Sequence, residues 1–301
     1  MRVFVTGASG WIGSAVVPEL VSAGHAVTGL ARSDASAERI RTAGATPVPG
    51  SLDDLESIRS GAAAADAVIH LGFKHDFSDY AGAGRTERAV VATIGDELAG
   101  SDRPFLFASG IVARPGELLT EDVASPYVGA DAPRGGGEAF AFEYADRGVR
   151  PVALRFSPTV HGRGDHGFST ELVRVAREKG VAGYVGDGSN RWPAVHRLDA
   201  AHLVRLALGQ ATPAARVHGV SEEGIPTREI AEAIGAGLGL PVESIAPGDV
   251  DAHFGWIGRF FGMDIPASSA ITRERYGWQP THPTLLEDFA SGYYFEAVAA
   301  R

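Results

Sequence analysis

The sequence predicts an α/β fold in which a doubly wound parallel sheet is joined to a smaller mixed α/β lobe. In the first half of the chain, short continuous apolar runs alternate with helical patterns, which is typical of parallel strands covered on both faces. The first apolar run leads directly into a glycine-rich turn and then into a helical pattern. With right-handed crossovers, ligands are expected where the strands of such a sheet end.

The first half contains six predicted strands and five predicted helices. The strands are expected at residues 3–6, 26–31, 46–48, 67–71, 105–108 and 152–156, and the helices near 11–23, 34–43, 53–61, 84–99 and 136–147. After residue 156 the regular alternation ends. Helices are expected there near 169–179, 198–209, 226–238, 250–261 and 282–298, between short strands and turns. We therefore expect a domain over residues 1–156 and an interleaved lobe over residues 157–301.

Composition and charge exclude several classes of function. The 301 residues are 45% hydrophobic and 21% charged, as in soluble globular proteins. The formal net charge is −10 and no long basic run occurs, so we expect neither nucleic acid nor a membrane as partner. The chain has no cysteine, which excludes disulfides, thiolate chemistry and cysteine-ligated metal. No apolar segment precedes the first strand and no apolar run approaches the ~20 residues of a membrane span, so we expect a cytoplasmic protein without a signal peptide.

The turn after the first strand carries three glycines at a spacing of three, in the order Thr6-Gly7-Ala8-Ser9-Gly10-Trp11-Ile12-Gly13. A strand, such a turn and a helix together predict a dinucleotide-binding entry. Gly7 permits a sharp turn, Gly10 lets the backbone approach a pyrophosphate, and Gly13 lets helix and strand pack closely. The start of the helix presents free N–H groups and a positive dipole end to the phosphates. The alternative is an ordinary glycine-rich turn.

The residues after the second strand predict which dinucleotide is preferred. An NAD-preferring site has an Asp or Glu there to bind the ribose 2′-hydroxyl, but this chain has Ala31, Arg32 and Ser33. A carboxylate would repel a 2′-phosphate, whereas an arginine and a serine hydroxyl can bind it through charge-assisted hydrogen bonds. We therefore expect NADP rather than NAD. The alternatives are that Arg32 is merely solvated and that Asp34 caps the next helix.

Two later segments are candidate cofactor contacts. Leu52 follows the third strand, where it could pack on an adenine ring, and Asp53 or Asp54 is expected at the start of the following helix. Leu71-Gly72-Phe73 ends the fourth strand, and its small glycine would leave room for the cofactor. His70 is expected to be a buried core histidine.

No metal site is expected. The segment Gly164-Asp165-His166-Gly167 predicts a turn, because one histidine and one aspartate do not make a metal site. The aromatic segment 253–263 predicts a helix packed on the core, with a hydrophobic wall over a substrate pocket as the alternative.

Several motifs occur in the order seen in one superfamily. They are TGASGWIG (residues 6–13), VIHLGF (68–73), FASG (107–110) and LRFSPTVHG (154–162), followed by GDG and VHRLD within 186–199. Together they resemble the extended and atypical short-chain dehydrogenase/reductases, in the branch called NAD-dependent epimerase/dehydratase-like. The resemblance covers essentially the whole chain. It implies a Rossmann sheet, a nicotinamide cofactor and a substrate lobe in the C-terminal half.

The resemblance also implies roles for individual residues. Ser109 matches the family's active-site Ser/Thr, which hydrogen-bonds a substrate oxygen. Thr159 and Val160 match the segment that passes the nicotinamide. The residues expected along the pyrophosphate are Ser9, Trp11 and Ile12.

The chain departs from the family at its acid/base pair, which is a Tyr followed four residues later by a Lys. No Tyr-x-x-x-Lys occurs; Arg134 stands at the Tyr position and Glu138 at the Lys position. The family's Lys lowers the pKa of the Tyr, which can then exchange a proton with substrate. Arg134 cannot donate a proton near neutral pH, but it could polarise a carbonyl or anchor a carboxylate or phosphate. Glu138 could still bind ribose hydroxyls, or the two residues could form a helical i,i+4 ion pair.

The proton donor is left open by the sequence. Tyr127, in the loop before Arg134, is a candidate catalytic residue, and Tyr80 and His161 are alternatives. We expect an NADP(H)-dependent oxidoreductase acting on a small carbonyl or alcohol, with Ser109 holding the substrate oxygen. The alternatives are a dinucleotide-binding sensor or regulator without catalysis, and a cofactor-assisted epimerase or isomerase.

Overall fold

The computed structural model describes residues 1–74, 79–112, 114 and 116–296, and only the backbone of Tyr80. The candidate role of the Tyr80 side chain therefore lies outside the described residues. The strands are β1 (Arg2–Thr6), β2 (Ala26–Ala31), β3 (Thr46–Pro49), β4 (Ala67–His70), β5 (Pro104–Gly110), β6 (Arg150–Phe156), β7 (Thr159–His161), β8 (Ala182–Val185), β9 (Arg191–His196), β10 (Ala215–Gly219), β11 (Glu222–Pro226) and β12 (Val242–Ile245).

The α-helices follow the same order along the chain. They are α1 (Gly13–Ser22), α2 (Asp34–Thr42), α3 (Leu55–Ala63), α4 (Tyr80–Leu98), α5 (Gly137–Phe142), α6 (Phe168–Lys179), α7 (Arg197–Gly209), α8 (Thr227–Leu238), α9 (Val250–Phe254), α10 (Gly258–Phe261), α11 (Ala270–Tyr276) and α12 (Leu285–Ala290). Short 3₁₀ helices lie at Pro133–Gly136, Glu143–Arg147, Pro247–Asp249, Gly255–Ile257 and Tyr293–Phe295.

The central sheet has seven parallel strands in the order β10-β6-β5-β4-β1-β2-β3. The predicted doubly wound fold class is thereby confirmed. Smaller sheets, β11-β9-β7 and β12-β8, belong to the second half of the chain. Strand β10 also comes from the second half, yet it pairs with β6 in the central sheet.

Alternating side chains of the central strands fill two apolar layers, because neighbouring residues of a strand point to opposite faces. Helices α1, α2 and α7 cover one face, which includes Val3, Val5 and Ile69. Helices α3, α4 and α5 cover the other, which includes Phe4 and Phe107. In the described ranges, no helix is both long and apolar enough to cross a membrane.

The second half departs from several sequence expectations. The helix predicted over 250–261 is broken at Gly255, whose φ of +61° does not continue a helix, and the one predicted over 282–298 ends at Ala290. Helix α11 and the place of β10 in the central sheet were not predicted. Within the aromatic segment, Phe254, Ile257 and Phe261 are buried in the core of the lobe, as the packing interpretation expected, and Trp256 is 42% exposed.

Candidate active site

The glycine turn after β1 has the close contacts that a dinucleotide-binding turn requires. Gly7 has a φ of +67°, and a Cβ there would lie 2.6 Å from the Gly72 nitrogen. A Cβ on Gly13 would lie 2.1 Å from the Gly7 carbonyl oxygen, so the helix start and the strand end pack without side chains between them. At Gly10, the Gly7 carbonyl is the near neighbour, at 3.1 Å. Ile12 gives α1 no side-chain cap, which leaves its N-terminus available to an anion.

Trp11 links this turn to the second half of the chain. Its indole Nε1 donates a hydrogen bond to the Val160 carbonyl (2.7 Å), and the Arg197 guanidinium lies 4.1 Å from the ring centre. Thr159 is buried beside Val160 in β7, and Ser9 is partly exposed in the turn. The structure therefore brings together the glycine turn and the segment that the family resemblance assigns to the nicotinamide.

The segment after β2 presents a positive charge at the surface. Arg32 is exposed, and among the described residues its side chain forms no ion pair. Ser33, in extended conformation, is the N-cap of α2 and accepts a hydrogen bond from the Ser36 nitrogen (3.2 Å). The alternative that Asp34 caps this helix is wrong, because Asp34 is already its first residue. The Ser33 hydroxyl thus has a structural role besides its expected contact with a 2′-phosphate.

The end of β4 adjoins the segment after β3. A Cβ on Gly72 would lie 3.1 Å from the Leu52 side chain, and Leu71 and Phe73 are partly exposed on either side. Asp54 caps α3 by accepting a hydrogen bond from the Ser57 nitrogen (3.3 Å). Asp53 instead pairs with Lys74 at 2.5 Å.

A chain of polar side chains connects the end of β1 with Arg134. We call these residues, Thr6, His70, Glu87 and Arg134, the Arg134 network. The Gly72 N–H donates to Thr6 Oγ1 (3.2 Å), and this oxygen lies 2.6 Å from His70 Nδ1. His70 Nε2 lies 3.2 Å from Glu87 Oε2, and Arg134 donates to Glu87 Oε1 (3.2 Å). Because an ionised carboxylate only accepts hydrogen bonds, His70 Nε2 is the donor to Glu87. His70 is thus a buried, fully bonded histidine.

Glu87 is the charged centre of this network. Burial opposes ionisation of its carboxyl, but His70 and Arg134 outweigh burial and hold its pKa below the usual range. Arg134 is therefore beside an anion at neutral pH. The Arg134 side chain is 27% exposed, and its guanidinium lies 4.3 Å from the centre of the Phe73 ring.

The backbone explains why Arg134 does not pair with Glu138. Arg134, Gly135 and Gly136 have φ values of 54°, 62° and 60°, so three successive left-handed residues precede α5. The two residues consequently do not lie on one helix, and the helical i,i+4 pair considered from the sequence is wrong. Arg134 instead reaches across to Glu87 on α4.

Glu138 is held in a second buried cluster. Strands β5, β6 and β10 place Ser109, Arg155 and His218 in register, and we call these three residues the polar row. Arg155 donates to both carboxylate oxygens of Glu138, at 2.9 and 2.5 Å. The Ser109 hydroxyl donates to Oε2 of Glu138 (3.1 Å), and Arg216 donates to Oε1 (3.3 Å). The ribose contact expected of Glu138 stays a prediction, and both oxygens already have donors.

The far end of the polar row is also bonded. Arg155 donates to the Val123 carbonyl (2.9 Å) and lies 3.3 Å from His218 Nε2, while His218 Nδ1 lies 2.8 Å from the Ser268 carbonyl. Burial lowers the pKa of His218, against the opposing negative charge of Glu121. His218 therefore accepts from Arg155 in its neutral form.

The two remaining candidate proton donors lie in different surroundings. Tyr127 is partly buried against a small apolar cluster that includes Val112 and Leu119. His161 is fully buried in β7, with Nδ1 2.6 Å from Asp288 on α12. It is therefore part of the packing between these elements, and Tyr127 is the more exposed of the two.

His196, Asp199 and His282 place possible metal ligands within 4.8 Å of one another. The rings of His196 and His282 are stacked at 4.8 Å with an interplanar angle of 6°. Imidazole lone pairs lie in the ring plane, so two parallel rings do not direct them at one ion. The Asp199 carboxylate accepts from the backbone nitrogens of Thr281 and His282, which explains its position structurally.

A cavity of about 520 Å³ lies elsewhere, in the second lobe between α8 and α12, and its lining is mainly apolar. None of the predicted site residues lines it. Ser109 lies instead at the carboxyl end of β5, and the Arg134 guanidinium contacts Phe73 just beyond the carboxyl end of the neighbouring strand β4.

Sequence reasoning missed Glu87, Arg155 and His218. The available clue was a charged or polar residue inside an apolar strand, as in VALRF (152–156) and ARVHG (215–219). A buried arginine requires a buried acid as partner, but the sequence does not show which acid that is.

Comparison with known proteins agrees with this geometry. The family described as NAD(P)H-binding matches residues 7–117. The uncharacterized protein C2A9.02 of Schizosaccharomyces pombe is 46% identical over 98% of this chain and 100% of its own length. The uncharacterized protein YLL056C of Saccharomyces cerevisiae is 43% identical over 97% of this chain and 99% of its own length.

More distant proteins extend the comparison. The 2-alkyl-3-oxoalkanoate reductase of Stenotrophomonas maltophilia is 29% identical over 80% of this chain and 77% of its own length. The fold matches DesIV, a dTDP-glucose 4,6-dehydratase from Streptomyces venezuelae solved with NAD, with a TM-score of 0.77 and 18% identity over 99% of this chain and 98% of that one. The chain belongs to the same family as the two uncharacterized yeast proteins, it has an NAD(P)H-binding domain that matches over residues 7–117, and it shares its fold with DesIV.

Proposed function

We propose that the protein is an NADP(H)-dependent reductase of a small carbonyl compound in which Arg134 takes the place of the family's tyrosine. The observation that carries this proposal is the position of the Arg134 guanidinium. It lies on the Phe73 ring, just beyond β4, and is held there by the buried Glu87 carboxylate. A fixed cation at this edge can stabilise negative charge that develops on a substrate oxygen.

The residues present fit a dinucleotide. The three glycines leave the turn without side chains, α1 has no side-chain cap, and Gly72 leaves space at the end of β4. Gly7, Ser9, Gly10, Trp11, Ile12 and Gly13 would hold the pyrophosphate, and Leu52 the adenine. Arg32 favours NADP because it offers an exposed positive charge to a 2′-phosphate. When bound, the nicotinamide supplies or accepts the hydride.

The chain's own groups then position the substrate. Arg134 donates hydrogen bonds to the substrate oxygen, while Glu87 keeps the guanidinium in place. Because Arg134 does not release a proton near neutral pH, the proton comes from Tyr127 or from an ordered water. The name of the Stenotrophomonas relative, a reductase of 3-oxo compounds, supports a carbonyl substrate.

The test is transfer of label from [4-²H]NADPH to product. Purified protein is incubated with a panel of aldehydes and ketones, NADPH oxidation is followed, and the product alcohols are examined by mass spectrometry. Deuterium in the product supports the reductase. Substrate conversion without net NADPH oxidation supports an epimerase or isomerase instead.

The missing Tyr/Lys pair specifically favours a second candidate, a dinucleotide-binding sensor without catalysis. Tight NADPH binding with no turnover on the panel supports that candidate over the reductase.

A further inference from the structure

The polar row determines whether the Ser109 hydroxyl can donate a hydrogen bond to a ligand or can only accept one. Ser109 and Arg155 are register partners on neighbouring parallel strands, so their side chains lie on the same face of the sheet. Glu138, from α5, covers this face and lies between them. Its carboxylate is buried, and it is within hydrogen-bond distance of both Arg155 and Arg216.

The charge of Glu138 follows from these partners. A fully buried arginine does not lose its proton, and it requires a compensating anion. Arg155 makes a two-pronged contact with both oxygens of Glu138, the arrangement of an ionised pair. The Glu138 carboxylate is therefore an acceptor without a proton to donate.

A hydroxyl has one hydrogen. The Ser109 Oγ–H donates it to Glu138 Oε2 at 3.1 Å, so only the lone pairs of Ser109 remain for a ligand. Ser109 is partly exposed, whereas Glu138 is buried behind it. In this arrangement, Ser109 does not donate to a carbonyl oxygen. Its partner must be a group that carries its own hydrogen.

We propose that Ser109 accepts a hydrogen bond from a substrate hydroxyl, that Glu138 is the positioning residue that sets this polarity, and that the substrate is a hydroxy-carbonyl compound. The inference rests on the proposed reductase function for the carbonyl half of the substrate. Arg134 donates to the carbonyl oxygen, and Ser109 accepts from a hydroxyl on a neighbouring carbon. Ser109 lies at the end of β5, and the Arg134 guanidinium lies against Phe73, just beyond the adjacent strand β4; the two groups would recognise two different oxygens.

Two ketones of equal size test the polarity. Hydroxyacetone and butanone each have five non-hydrogen atoms, but only hydroxyacetone can donate a hydrogen bond. Their dissociation constants are measured by ligand-observed NMR on the full chain saturated with NADP⁺, which cannot reduce them. This readout is independent of turnover, so it separates failure of the inference from failure of the proposed reductase.

The expected result is a ratio of dissociation constants that depends on Ser109. Ser109→Ala should lower the preference for hydroxyacetone over butanone by about 3- to 10-fold, the size of one neutral hydrogen bond. Methoxyacetone, whose ether oxygen cannot donate, should show no such loss. Ser60→Ala is the matched control, because Ser60 also donates to a glutamate, Glu56 (3.4 Å), on an exposed helix.

Glu138→Gln supplies a second measurement, with circular dichroism as the check on folding. The amide of the introduced glutamine can donate to the Ser109 oxygen, so that the Ser109 hydroxyl becomes free to donate to a ligand. The preference for hydroxyacetone over butanone should then fall, while the preference for methoxyacetone over butanone should rise. Glu56→Gln is its surface control. The proposal is overturned if Ser109→Ala leaves the ratio of the two dissociation constants unchanged, as it would by weakening both ketones equally. It is also overturned if neither ketone binds.

Discussion

Arg134 and Glu87 are 47 residues apart in the chain, yet the guanidinium donates to the buried carboxylate at 3.2 Å. The Glu87 carboxylate also contacts His70, which in turn contacts Thr6 at the end of β1, just before the glycine turn. One connected set of polar side chains therefore links the glycine turn at the end of β1 to Arg134, the residue that the family resemblance aligns with a tyrosine. The strands and α4 hold this set in place from both sides.

Loss of Arg134 should reduce catalysis more than stability. Arg134→Ala removes the donor to the substrate oxygen, and kcat/KM for NADPH-dependent carbonyl reduction should fall by about 10²- to 10³-fold. Arg134→Lys should recover part of the rate, because it keeps the charge but loses the planar fork. Arg147→Ala is the control, since Arg147 likewise pairs with a carboxylate (Asp96) and stacks on a ring (Tyr144). Equal kcat/KM in Arg134→Ala and the parent would remove Arg134 from the mechanism.

Loss of Glu87 should instead destabilise the fold. Removing one partner of a buried ion pair costs about 3–5 kcal/mol. Because the Arg134 side chain is 27% exposed, water can partly solvate it, and we expect Glu87→Ala to lower the free energy of unfolding by about 3 kcal/mol. Urea unfolding measures this change. Asp96→Ala, at a half-exposed pair, should lower the free energy of unfolding by clearly less than Glu87→Ala does, and equal costs at the two sites would contradict the buried network.

The charge at Arg32 should determine the choice of cofactor. We expect NADPH to bind more tightly than NADH, and Arg32→Ala to weaken NADPH binding by roughly 1–3 kcal/mol, the scale of a charged hydrogen bond. NADH binding should change little, because NADH has no 2′-phosphate. Calorimetric titration of both cofactors measures the difference. Arg39→Ala, at an exposed position of α2, is the control, and equal affinities of the parent for both cofactors would contradict the prediction.

Gly10→Val should abolish dinucleotide binding with limited damage to the fold. The added Cβ would meet the Gly7 carbonyl at 3.1 Å, a contact that a small shift relieves, but its branches would occupy the approach path of the pyrophosphate. Fluorescence titration with NADPH and the thermal midpoint of unfolding are the two readouts. Gly24→Val, at a site with no atom within 4 Å of an added Cβ but a φ of +83°, controls for backbone strain. Normal NADPH binding by Gly10→Val would show that the turn is misassigned.

The buried His196 should make stability fall in mild acid. Burial and the neighbouring charge of His161 lower the pKa of His196 to about 4, against the opposing charges of Asp288 and Asp199. The unfolded chain binds a proton at this histidine near its usual pKa of 6.5, whereas the folded chain does not until about 4. The fold is therefore not destabilised by His196 above pH 6.5, and the free energy of unfolding falls as the pH is lowered from 6.5 to about 4.

A His196→Gln variant should show a weaker fall of stability over this interval. Urea unfolding of the parent and the variant between pH 7 and pH 4.5 checks the difference. His282→Gln is the comparison, because it removes a stacked and more exposed ring. Parallel stability curves for the parent and His196→Gln would contradict the assignment.

Local patterns were enough to locate most elements of the central sheet. Strand β2 has the predicted bounds, and β1, β3, β4, β5 and β6 differ from prediction by one to two residues at an end. Continuous apolar runs and turn glycines are local features of the chain, so they can be recognised in a single sequence. The helix ends at Gly255 and Ala290 were harder to predict. The helical spacing of apolar residues continues past both positions, whereas the helical backbone conformation does not.

The sequence by itself determined the parallel sheet, the glycine turn and the absence of a Tyr-x-x-x-Lys pair, and through the family resemblance it singled out Arg134 and Glu138. Only the tertiary structure decided their partners. Arg134 pairs with Glu87 because three left-handed residues turn it away from the helix of Glu138, and Glu138 pairs with Arg155 because β6 places a fully buried guanidinium opposite it. A buried charge must be neutralised by whichever opposite charge the packing brings within reach, and that proximity is a property of the folded chain.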